Sequence, residues 1–98
     1  MVKKSPPVPP HVLQDEAQLI AISKRIKRAH GQLGAISRMI DEGRSCEDIV
    51  TQMSAVGKAI NTAAITLISA SLKECIEAGN SDTTALTEKL QKLFLSFA

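Results

Sequence analysis

Two cysteines, Cys46 and Cys75, are the residues of this chain best suited to chemistry. A thiolate can bind a soft metal, attack a sulfur electrophile or close a disulfide, whereas a buried thiol can serve simply as a small hydrophobe. No Ser/His/Asp set, Gly-rich phosphate loop or carboxylate cluster with a neighbouring base accompanies them, so no catalytic residues are assigned and an enzyme is not expected. Lys3 and Lys4 are followed by Ser5-Pro6-Pro7-Val8-Pro9-Pro10 rather than an apolar run, so no secretory signal is read and a cytoplasmic location is expected. In a reducing compartment, paired cysteines are more often metal ligands or reactive thiols than a structural disulfide.

The elements that must position these thiols are helical. All four prolines lie in the first ten residues, and proline lacks an amide donor and disfavours helix in the residue before it. Residues 1–12 are therefore read as a flexible Pro-rich arm and 13–98 as a single helical domain. From Leu19 the apolar positions run Leu19, Ile22, Ile26, Ala29, Leu33, Ile36 and Ile40, the alternating three-and-four spacing of a coiled-coil-like seam. His30 falls one residue past that seam and reads as a partly exposed helix residue. Gly43 is a good residue for the turn after the helix, and Ser45 with Asp48 resembles a capping box that opens the next one. Cys46 then lies in a first turn, where unpaired amides and the helix dipole favour negative charge and hence the reactive thiolate.

A second seam follows through Ile49, Met53, Val56, Ile60, Ala63, Leu67 and Ala70, and that helix continues to Ala78 before Gly79-Asn80. Ser81 or Asp82 is expected to cap a short third helix with the stripe Leu86, Leu90, Leu93, Phe94 and Phe97. No segment alternates with a period of two. The expected fold is all-α: two long antiparallel helices and a short C-terminal one.

Cys46 and Cys75 are separated by 29 positions on the second helix, roughly 44 Å at the helical rise. Disulfide or shared-metal chemistry needs the two Cα atoms within about 7 Å, so the pair must form between chains. An antiparallel pair of second helices, with a two-fold axis near Ile60 and Asn61, places Cys46 of one copy beside Cys75 of the other. A break at Gly57 would allow an intrachain pair instead. With 98 residues and an aliphatic composition of two Phe and no Trp or Tyr, the chain is also too small to bury much apolar surface alone, so an oligomer is expected.

The net charge of +2 is unremarkable, but four of the five residues from Lys24 to Arg28 are basic, a local positive patch. The longest nearly uncharged stretch, Ala59 to Leu72, contains Asn61, Thr62, Thr66, Ser69 and Ser71 and reads as a buried helix rather than a membrane span.

The runs from Arg25 through His30-Gly31-Gln32-Leu33-Gly34 to Ile36, from Gly43-Arg44-Ser45-Cys46 to Ala55, and Leu72-Lys73-Glu74-Cys75 together resemble the CsoR/RcnR/FrmR family of bacterial repressors. The resemblance covers about residues 17 to 97. It implies a three-helix chain, antiparallel homodimers that pair into homotetramers, and operator DNA released when an inducer occupies a site between protomers. It also implies that Lys24, Arg25, Lys27 and Arg28, with Lys58 on the second helix, contact DNA phosphates without a helix-turn-helix reader. Gly57, Thr62 and Ile65 stand where relatives often have basic residues.

In the copper-sensing branch a His four residues before the second Cys completes the ligand set; here that position is Ser71. Retention of both thiols without the imidazole is similar to the CstR branch, in which low-molecular-weight persulfides or polysulfides form interprotomer sulfur bridges. The resemblance thus implies Cys46 and Cys75 as persulfide-sensing thiols with no metal cofactor. The alternative is Cu(I) bound by the same two residues. Nickel or cobalt sensing needs histidines that His11 and His30 do not supply, and the N-terminal arm departs from the formaldehyde sensors, which use an N-terminal Pro amine.

Overall fold

A computed structural model describes residues 10–78 and 83–97. They form three helices in chain order, α1 (Glu16–Asp41), α2 (Cys46–Ala78) and α3 (Thr83–Phe97), with no strand among the described residues. The all-α expectation holds. The expected stop at Gly79-Asn80 and cap at Ser81 or Asp82 lie outside the described residues.

Local signals set the two inner helix boundaries. The chain after α1 closes a Schellman motif: the amide of Arg44 donates to the carbonyl of Met39 at 3.0 Å and that of Gly43 to Ile40 at 3.1 Å. The turn requires Gly43, at φ 70°, in the left-handed region where a Cβ is costly. Ser45 Oγ then accepts the amide of Asp48 at 3.1 Å, so α2 opens with Cys46 as its first residue. At the other end of the hairpin, α1 starts at Glu16 behind the N-cap Asp15, whose side chain accepts the amide of Gln18. Residues 10–15 are not helical.

The antiparallel hairpin of α1 and α2 buries only half of each predicted seam. Ile22 joins Ala63 and Leu13 in one cluster, and Ala29 and Ile36 join Val56 in another, with Ile49 and Ala70 packed alongside. Small residues at Ala29 and Ala63 let the helices approach, and each buried Ile or Val contributes on the order of 1.5–3 kcal/mol. The other half stays outside: Leu19, Ile26, Leu33 and Ile40 on α1, and Met53, Ile60 and Leu67 on α2, are 37–57% exposed. Both exposed sets repeat every seven residues, so the hairpin carries a continuous apolar face beyond its own core.

Helix α2 passes through Gly57 without a break, and its 33 residues make it long and apolar enough to cross a membrane by length and composition. Val50, Met53, Ile60 and Leu67 of its exposed apolar residues nevertheless share one side, Ile76 lines the groove beside α3, and Gln52, Lys58, Thr62 and Lys73 face outward elsewhere. That is the pattern of a helix that meets other helices. Helix α3 packs on α2 and makes no contact with α1 among the described residues. Leu86, Leu90 and Phe94 of its predicted stripe are half-buried, whereas Leu93 and Phe97 are exposed.

Candidate sensor thiols and nucleic-acid interface

The two thiols occupy opposite ends of α2 in contrasting surroundings. Cys46 is exposed at the first helical position, preceded by the Ser45 cap and flanked by an exposed Arg44–Asp48 ion pair at 3.5 Å. Cys75 is only 2% exposed, in the last turn and a half of the helix. An unbroken helix between them fixes a separation of roughly 44 Å, so one chain cannot bring them together. Consistent with that, no group of three or more His, Cys, Asp or Glu among the described residues could hold a metal.

Ser71 lies one helical turn before Cys75, on the same face, and is also buried. The family resemblance implies a nitrogen ligand at this position in copper sensors, and the hydroxyl found here is a poor ligand for a soft ion. Two thiolates drawn from two chains remain a suitable donor set for Cu(I).

One residue before Cys75, Glu74 makes a long-range contact whose partner cannot be read from the sequence. Its carboxylate accepts the amide of Gln14 at 3.0 Å, the amide of Asp15 at 2.9 Å and a hydrogen bond from His11 Nε2 at 2.9 Å. The Gln14 amide, chiefly, holds the Glu74 carboxyl below its usual value; burial opposes this, while His11 and the Asp15 amide add to it. A depressed carboxyl keeps its contacts above the ordinary carboxylate range and loses them as pH falls through the lowered value, so the clasp is complete near neutrality. Leu13, between these donors, is 5% exposed in the core. His11, read from the sequence as part of the arm, is thus tied to α2. A weak signal existed in the run Leu13-Gln14-Asp15, an apolar residue before a helix cap, but nothing pointed to a partner 60 positions away.

Lys24, Arg25, Lys27, Arg28 and Lys58 are all exposed, and among the described residues none of them has an acidic partner within salt-bridge distance. The clusters that join Ile22 to Ala63 and Ala29 to Val56 set an antiparallel register in which Lys58 lies level with Lys27. The five cations therefore lie within a few helical turns of one another along the hairpin axis, with Lys27 and Lys58 each on the side of its helix turned away from the other helix. His30 is exposed beside them. An open groove of about 780 Å³ between α2 and α3, lined by Leu72, Ile76, Phe94 and Leu95 among others, touches neither cysteine.

Comparison with known proteins accords with this geometry. Residues 45–55 around Cys46 and the long second helix fall inside a match to the family described as metal-sensitive transcriptional repressor, which spans residues 19–96. The copper-sensing transcriptional repressor RicR of Mycobacterium tuberculosis is 41% identical over 54 residues, 55% of this chain and 56% of its own length. The copper-sensing transcriptional repressor CsoR of Bacillus subtilis is 36% identical over 55 residues, 56% of this chain and 54% of its own. The chain thus matches about half the length of these curated relatives, and no solved structure matches it significantly. With the family match covering most of the hairpin and α3, the chain belongs to the metal-sensitive transcriptional repressors.

Proposed function

We propose that this protein is a cytoplasmic DNA-binding repressor in which Cys46 of one protomer and Cys75 of the partner subunit hold Cu(I), and that filling this site releases operator DNA. The observation that carries the reading is the unbroken α2, which keeps two soft ligands at its opposite ends and makes any shared site a product of two chains. The exposed stripes Leu19–Ile40 and Met53–Leu67 supply an apolar face for an antiparallel homodimer, and two dimers would form the tetramer. Lys24, Arg25, Lys27, Arg28 and Lys58 contact phosphates.

Copper replaces persulfide as the leading inducer because both named relatives are copper-sensing repressors. Persulfide or polysulfide stays as the second reading on one observation, Ser71 in the position of the third ligand. In that chemistry the Cys46 thiolate takes the outer sulfur of a persulfide, expelling a thiolate, and the thiolate of Cys75 of the partner subunit then attacks the inner sulfur of the Cys46 persulfide, expelling hydrosulfide and closing a disulfide bridge.

Titration with Cu(I) against a competing chelator, followed by operator binding, tests the first reading. One Cu(I) per protomer with loss of the DNA complex supports it; no retained copper, together with an interchain sulfur bridge after polysulfide in the intact mass spectrum, favours the second. Neither response would reject the assignment of these thiols. For the DNA face, Arg25→Ala and Arg28→Ala should each weaken binding to all duplexes alike and lower the slope of log affinity against log salt by about 1. An unchanged slope would remove that residue from the interface.

A further inference from the structure

The geometry points to a gate at the Cys75 end of α2: by clasping the strap His11–Asp15, Glu74 keeps Cys75 buried, and release of the strap exposes the thiol. Three features converge there. Cys75 lies three residues from the end of α2 and no basic side chain sits in that last turn, so the end frays readily unless something else holds it. Among the described residues, every side-chain hydrogen bond that crosses between distant parts of the chain ends on the Glu74 carboxylate. Leu13 adds an apolar anchor in the middle of the same strap, packed in the cluster with Ile22 and Ala63. Helix α3 also packs on α2 beside Leu72 and Ile76, so the strap is the hydrogen-bonded tie at this end and α3 its apolar cover.

Both carboxylate oxygens accept backbone amides, so the His11–Glu74 pair is a structural tie and is not available as a metal site. Glu74 and His11 act on Cys75 as positioning residues. Opening the clasp also leaves the amides of Gln14 and Asp15 without their acceptor, directly before α1. Exposure of Cys75 and loosening of the start of the helix that carries Lys24–Arg28 are then one event. This link to DNA release rests on the function proposed above, whereas the gate itself does not.

Alkylation of the full-length protein by iodoacetamide tests the gate without copper or DNA, because the free thiolate displaces iodide and the adduct on each cysteine is counted by peptide mass spectrometry. Exposed Cys46 is the internal standard. Glu74→Ala should speed alkylation of Cys75 severalfold relative to Cys46, with His11→Ala giving a smaller acceleration and Glu74→Gln lying between wild type and Glu74→Ala. Hydrogen exchange at Gln14 and Asp15 should rise in parallel while the core amide of Val56 stays protected. Equal Cys75 rates in wild type, Glu74→Ala and His11→Ala overturn the gate. Acceleration in both variants accompanied by matching loss of protection at Val56 overturns it too, since that is global loosening. A protein that ignores Cu(I) and polysulfide yet shows the predicted alkylation pattern would reject the proposed function and keep the gate.

Discussion

The two ends of α2 carry the same residue type and are built by opposite means. At the Cys46 end, order comes from neighbours in sequence: Gly43 turns the chain, and Ser45 caps the helix three residues before Asp48. At the Cys75 end it comes from far away, through Glu74 and a strap some 60 positions earlier. The thiol at the first end is open to solvent and the thiol at the second is buried. Under the proposed function, the exposed Cys46 would meet an inducer first, and the availability of Cys75 would depend on the rest of the fold.

Substitutions can break the two ends separately. The largest effect is expected for Leu13→Ala, which empties a buried site and should destabilise the chain by about 2–5 kcal/mol in denaturant unfolding while leaving the reactivity of Cys46 unchanged. A loss below about 1 kcal/mol would mean that the strap contributes little beyond its hydrogen bonds. Gly43→Ala comes next, at about 1–2 kcal/mol. A Cβ at Gly43 meets nothing within 4 Å, so that cost would come from its φ of 70° alone. Ser45→Ala is the mildest, about 1 kcal/mol, with hydrogen exchange rising in the first turn around Cys46 and not at Gln14. If Gly43→Ala or Ser45→Ala altered Cys75 reactivity as much as Glu74→Ala, the separation between the two ends would fail.

This contrast also explains what could be read from the sequence. The α1–α2 turn was legible because its determinants are contiguous: Gly43 adopts the left-handed conformation, Ser45 caps, and Cys46 begins the helix as expected. The apolar period found the seam residues on both long helices, and the continuity of α2 through Gly57 followed from that period. Period alone could not tell which half of the seam a single hairpin buries. Ile22, Ala29 and Ile36 pack inside it, while Leu19, Ile26, Leu33 and Ile40 share the same repeat and remain exposed. The start of α1 was the least legible boundary, because the placement of His11–Asp15 depends on Glu74 and on the pocket that receives Leu13, both supplied by the hairpin only once it has formed.

The residues of the proposed site are those that residue type and spacing single out in the sequence; their chemistry is less directly legible. Cys46 and Cys75 stand at the two ends of one continuous helix, as the periodicity predicts, and the basic residues of Lys24–Arg28 are exposed. Ser71 suggested sulfur chemistry by subtracting a ligand. The named relatives instead favour copper, and a two-thiolate site reconciles a soft metal with a serine that contributes no strong bond.

The central claim, a site made of one thiol from each of two chains, is tested most directly by complementation between Cys46→Ser and Cys75→Ser proteins. Each variant alone has no complete pair and should bind no Cu(I) against the chelator, whereas a purified mixed dimer has one intact pair and should bind one Cu(I), half the wild-type dimer's complement. Restoration in the mixed dimer is the result this account predicts. Full binding by either single variant, or no recovery in the mixed dimer when the wild type binds copper, would contradict it.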